Sequence, residues 1–228
     1  MSRVLMLVEG PTERAIVNRV FAPVLGVQGV YLFPRVVGKP GHKGGNKFSI
    51  VRRELKALIH QEPASTVTML FDYYGLPEDW PGLTEARGKS SNAVPGIIEP
   101  AIAQAVVSDI GPAFNPEKFI PYIQLHEIES LLFADPDEMA KAFKSPPLAA
   151  EFSKIVQDCG GCENINDNPE TAPSKRIEKL YPGYRKGSSV NAHAYRIAQH
   201  IGVGKIRQQC PHFNEWFTKL EQLARAAT

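Results

Sequence analysis

The chain has 228 residues and a mass of 25.2 kDa, with 43% apolar and 22% charged residues. That is enough to bury a sizeable core, and it excludes a disulfide-stapled miniprotein. No stretch comes near the ~20 uninterrupted apolar residues of a membrane span, and the segment before Glu9 lacks the apolar core of a secretory signal. Three cysteines in an odd, unframed set point to a reducing compartment, so the expectation is a cytoplasmic protein with no membrane partner.

The formal net charge of +2 conceals a partition. Residues 35–56 carry seven Lys/Arg against one acid, and residues 175–207 carry eight against one. Between them, residues 57–138 carry thirteen acids against three bases. Two basic segments around an acidic middle suit a carboxylate metal site with phosphate-binding walls, the plainer alternative being solvated faces on separate elements.

In chain order, Arg3 to Val8 is a short apolar run that stops at Glu9, and helical spacing follows at Ala15, Ile16, Val20 and Phe21. This predicts strand, turn, helix, with Thr12 as cap and Glu13 in the first turn. A second strand, Val30 to Val37, leads into the Gly/Lys loop 38–47, a helix over Ser49 to Ile59, and a strand over Thr66 to Phe71 that stops at Asp72. Such β-α-β-α-β alternation predicts an α/β fold with a mostly parallel sheet flanked by helices. Residues 75–95, rich in Gly, Pro, Ser and charge, read as an exposed insertion. A helix is expected over Gly96 to Val107 with Pro100 near its first turn, then a strand over Phe119 to Leu125 in which Pro121 marks an edge or bulge. That strand also stops against acids, Glu127 and Glu129. Helical spacing over 130–133 and 136–143 completes an α/β unit spanning 1–145. From 146 to 228 the pattern is helical throughout, a C-terminal region packed on that unit.

Three strands thus end in carboxylates. In an open α/β sheet such ends meet at one crevice, and clustered like charges there are tolerated mainly around a divalent cation. Oxygen ligands favour Mg²⁺ or Mn²⁺, and the commonest task of such a site is phosphodiester chemistry. The plainer alternative is that each acid serves a local turn or helix start.

The residues Val8 to Glu13, Phe71 to Tyr74, Ile120 to Asp135, Thr171 to Ile177 and Ile206 to Phe213 together resemble the bacterial domain of unknown function family 4276. The resemblance covers nearly the whole chain. That family is similar to the Toprim fold of topoisomerases, primases and overcoming-lysogenization-defect nucleases, which implies a Toprim-like, metal-dependent nuclease, often encoded beside an ATPase in phage-defence settings. Position by position, Glu9 matches the Toprim glutamate, Glu13 the acid one turn later in the nuclease branch, and Asp72 the first acid of an Asp-x-Asp motif. Position 74 is Tyr, so the second acid of that motif is missing, which leaves one metal, or a metal bound only with substrate, and lets Glu127 or Glu129 stand in.

The expected catalytic set is therefore Glu9, Asp72, Glu127, Glu129 and Lys175, the last stabilising the scissile phosphate. The expected Mg²⁺ or Mn²⁺ ligands are Glu9, Glu13, Asp72 and Glu127. Lys39, Lys43, Lys47, Arg176, Arg185 and Lys186 are candidates for the nucleic-acid backbone, with Tyr181, Tyr184 and Tyr195 available for base stacking. The Gly/Lys loop is not a Walker A loop, since the G-x-x-x-x-G-K-[ST] spacing is absent. His126 is a candidate general base or orienter of a carboxylate. Cys159 and Cys162 with Cys210 and His212 hold a poor spacing for structural Zn²⁺, so thiols are the expectation. The alternative to a nuclease is a non-catalytic nucleic-acid- or ATPase-binding subunit with a degenerate site.

Overall fold

The computed structural model describes residues 1–38, 46–166, 168, 170–184 and 191–225. The apolar runs become parallel strands β1 (Ser2–Val8), β2 (Val30–Val36), β3 (Thr66–Asp72), β4 (Phe119–Ile120) and β5 (Ile123–Gln124). Their order is β2-β1-β3-β4, and β5 continues the pairing with β3 beyond β4. The expected last strand is thus split in two at Pro121 and Tyr122, because proline has no N–H to give the ladder.

The helices are α1 (Pro11–Ile16), which runs through a π-helical stretch Val17–Phe21 into α2 (Ala22–Val27), then α3 (Phe48–Gln61), α4 (Leu83–Ala86), α5 (Val94–Ile110), α6 (Pro136–Ala142), α7 (Leu148–Cys159), α8 (Pro173–Leu180), α9 (Asn191–Ile201), α10 (Val203–Gln209) and α11 (Pro211–Arg225). Ile128–Ala134 forms a 3₁₀ segment.

Strand β1 is buried on both faces, so it reads as a continuous apolar run. Val4, Met6 and Val8 face a core built with Ile16, Phe21, Phe133, Phe152, Phe213 and Trp216. Leu5 and Leu7 face a second core built with Val51, Leu55, Trp80, Ile98 and Ile102. This division follows from right-handed crossovers. The chain leaves β1 for β2 in one direction and returns past β1 to β3 in the other, which places α1 and α3 on opposite faces. The reversal makes a topological switch point between β1 and β3.

Two expectations are corrected. Residues 75–95 are not an exposed insertion: Leu76, Trp80, Leu83, Ala86 and Val94 are buried in the second core, and Trp80 packs between Phe48 and Phe71 with centroids 5.3 Å from each. The Gly, Pro and charge there shape turns around one anchoring aromatic. Helix α5 begins earlier than its spacing indicates, so Pro100 lies inside it rather than in its first turn. The stretch Ser91–Ile110 is also long and apolar enough, by length and composition alone, to cross a membrane. In this fold Ile98, Ile102 and Val106 enter the second core, and Glu99 accepts the Ile123 N–H at 3.0 Å.

The helices beyond residue 146 share their core with β1 and β2. The buried Trp216 indole donates to Thr68 Oγ1 at 3.0 Å, and Thr68 donates to Ile120 O at 2.6 Å, so α11 is tied to β3 and β4.

Candidate functional site

Glu9 follows β1, and Asp72 ends β3, so the parallel register sets them side by side at the switch point. Glu9 N donates to Leu70 O, extending the ladder by one residue, while Glu9 Oε2 accepts the Asp72 N–H at 3.2 Å. Asp72, 5% exposed, is oriented by Ile128 N, which donates to its Oδ1 at 2.8 Å. That donor is the first residue of the 3₁₀ segment, so Asp72 pins the start of the segment that carries Glu129.

Glu127 and Glu129 are 3% and 1% exposed. Ser174 N donates to Glu127 Oε2 at 2.8 Å, anchoring the start of α8, and the Tyr184 hydroxyl donates to Glu129 Oε1 at 3.0 Å. Burial pushes the Tyr184 phenol well above its ordinary value, and the charges of Glu129, Glu127 and Glu13 push it further, so it remains a donor. The N-cap of α8 is Ala172, with Pro173 first in the helix. Thr12, expected as the cap of α1, is not one, since α1 starts at Pro11 from Gly10. A Cβ at Gly10 would lie 2.9 Å from Glu13 Oε2, so a larger residue there would push that carboxylate aside.

His126 holds a left-handed backbone, φ 61°, in the turn between β5 and the 3₁₀ segment, and its Nε2 lies 3.2 Å from Ser91 Oγ. A non-glycine residue in this region is strained, and such strain gathers at functional sites. Tyr74, where a second acid was expected, donates its N–H to His126 O. A second layer of buried polar groups supports the crevice: the Tyr122 hydroxyl donates to Gln124 Oε1 at 2.8 Å and Gln124 Nε2 donates to Ser130 Oγ at 3.0 Å.

The structure thus brings Glu9 and Asp72 together and sets Glu127, Glu129 and Glu13 around Tyr184. It does not gather Glu9, Glu13, Asp72 and Glu127 into one ligand set: among the described residues no three His, Cys, Asp or Glu side chains group closely enough to hold a metal ion. Mg²⁺ commonly takes only one or two protein carboxylates and completes its shell with water and substrate phosphate. The Glu9/Asp72 pair, hard oxygen donors at a strand-end crevice, fits that kind of site and not a closed cage.

Lys175 pairs with Glu178 at 2.8 Å on the surface of α8. Arg176 is built into local structure, donating to Thr171 O and Asn166 Oδ1. Lys47 is exposed at the start of α3. Lys39, Lys43, Arg185 and Lys186 lie outside the described residues. The cysteine and histidine set does not converge as zinc ligands. Cys210 donates to Cys162, which raises the Cys210 thiol well above its ordinary value, with burial adding to this, and lowers Cys162. The His212 ring instead meets Glu99 Oε1 and Ile123 O, both at 3.1 Å, and stacks on Tyr122.

Tyr184 as a carboxylate donor and Ser174 N as an anchor were not legible, since both depend on how α8 docks. The Domain of unknown function (DUF4276) family model matches residues 8–221. The chain belongs to this family. The DUF4276 match runs from the last residue of β1 into α11, so Glu9, Asp72, Glu127 and Glu129 all lie within the matched region. No curated protein and no solved structure matches the chain.

Proposed function

We propose that this DUF4276 chain is a Mg²⁺- or Mn²⁺-dependent nuclease, cleaving phosphodiester bonds in DNA or RNA with a Toprim-like site. The observation that carries the reading is the Glu9/Asp72 pair at the β1/β3 switch point, joined by the Asp72 N–H to Glu9 Oε2 bond at 3.2 Å. Glu9 and Asp72 would hold one metal ion, whose chemistry is to activate water and stabilise the leaving oxygen. The chain's own groups pre-set the acids: Ile128 N fixes Asp72, Ser174 N fixes Glu127, and Tyr184 fixes Glu129. Glu127 or Glu129 is the candidate to take the proton of the attacking water, and Lys175 or a neighbouring cation to neutralise the phosphate. The same reading places the protein in the cytoplasm, in a phage-defence setting with an ATPase partner.

The test is incubation of the purified chain with DNA and RNA in Mn²⁺. Cleavage is expected for the wild type, with a loss of at least about a hundredfold in Glu9→Ala and in Asp72→Ala. Cleavage that persists in both variants would falsify the assignment.

Tyr74 in place of the second acid, with no three-ligand group among the described residues, favours a second reading: a non-catalytic subunit that binds nucleic acid or an ATPase. Calorimetry separates the two. A chain that takes up no Mn²⁺, with or without an oligonucleotide, and co-purifies with an ATPase supports the subunit.

A further inference from the structure

On the C-terminal helices, away from the strand ends, lies a cavity of ≈ 430 Å³ lined by Phe143, Lys144, Tyr181, His193, Arg196 and His200. The volume is that of a small-ligand site. His193, Arg196 and His200 are spaced three and four apart, so they form one stripe on α9, whose opposite face buries Ala194, Ala198 and Ile201 in the core. No carboxylate lines the cavity, and none of the four basic side chains pairs with an acid among the described residues.

Two features mark the site as built. Lys144 stands at the left-handed position that ends α6, φ 55°, where Lys144 N bonds to Lys141 O and Ser145 N to Ala140 O. That closing turn favours glycine, because a Cβ there is strained. A lysine kept in a strained position with its side chain lining a cation-rich cavity points to an anion. The floor is aromatic. The Phe143 and Tyr181 rings lie 4.5 Å apart, and Tyr181 packs over Gly183, where a Cβ would meet the ring at 2.8 Å.

We propose that this groove takes a single-stranded nucleic acid, its phosphates against Lys144, Arg196 and the two imidazoles and a base against the aromatic floor. Cationic walls over an aromatic platform are how single strands are held without sequence preference. The choice of nucleic acid over another anion rests on the phosphodiester reading above. Helix α9 packs its buried face on α1 and on the 3₁₀ segment, so the basic stripe lies on the other side of a helix that is itself held by the elements carrying Glu13 and Glu129.

The test is fluorescence anisotropy on the full chain in EDTA, with a labelled oligothymidine and the same strand annealed to its complement. Binding is expected to favour the single strand and to weaken with salt. Arg196→Ala and Lys144→Gly should each lose about tenfold in affinity, the size of a lost charge-assisted contact, and each should lower the salt slope by about one. Lys144→Gly should melt no lower than wild type, which separates lost binding from lost folding. Variants that bind as wild type does, a preference for the duplex, or no binding at low salt would each overturn the proposal. Because the assay excludes metal and reads binding alone, wild type that binds the strand but cleaves nothing in Mn²⁺ would sink only the nuclease assignment, and wild-type binding by Arg196→Ala and Lys144→Gly would sink only this groove.

Discussion

At the scale of single residues, the chemistry of the crevice depends on donors that hold carboxylates in place. Tyr184 is 1% exposed and donates to Glu129, itself 1% exposed. Tyr184→Phe leaves the ring's packing intact but takes a donor from a buried carboxylate, which costs about 1–3 kcal/mol. Urea denaturation should show that loss, and an unchanged midpoint would deny Tyr184 its anchoring role. His212 supplies a pH signal. Burial alone would lower its imidazole, but the hydrogen bond and charge of Glu99, with Glu163, outweigh that and raise it above 6.5. A raised folded value means that protonation stabilises the fold: the contribution is complete below the unfolded pKa and is lost as pH rises through the folded one. Glu163 acts in the same sense from 4.5 upward, because burial raises its carboxyl despite the His212 and Phe213 N–H groups it accepts. Stability should therefore fall as pH is raised from acid to alkaline through these windows. Thermal melts of wild type and His212→Ala across pH check this, and the upper part of the slope should vanish in the variant.

At the scale of elements, the segment between β3 and α5 shows how composition misleads. Its Gly, Pro and charged residues indicate an exposed insertion, yet Trp80 is 3% exposed and donates its indole N–H to Asn46 O at 2.7 Å. One aromatic thus ties α3, β3 and the loop after Asp72 together. Trp80→Ala should cost about 3–5 kcal/mol, whereas an insertion riding on the surface would cost almost nothing. Chemical denaturation distinguishes these outcomes. The elements with a strong period were legible: β1, α3 and β3 lie within a residue or two of their apolar patterns. Helix α10 was missed as an element of its own, because seven residues hold only about two turns of pattern.

At the scale of the molecule, one core joins the chain across residue 145. Val4, Met6 and Val8 are covered by side chains from α9, α10 and α11 as well as from α1 and α2. A fragment of residues 1–145 should therefore expose that face of the sheet, bind a hydrophobic dye and lack dispersed amide resonances, whereas the full chain unfolds in one transition. The charge partition is borne on this core. Ser174, the residue before the second basic segment, donates its N–H to Glu127, so that segment begins beside one of the buried acids.

The sequence by itself determined the alternation of strands and helices, the parallel sheet, and the placing of acids at strand ends, because these rest on local periodicity and on where apolar runs stop. It also carried the family, through motifs that lie along nearly the whole chain. Tertiary structure alone decided which acids meet. Glu9 and Asp72 become neighbours because the crossovers reverse between β1 and β3, and Glu129 meets Tyr184 because α8 docks over the 3₁₀ segment. Those contacts join residues more than fifty positions apart, and no local pattern records them.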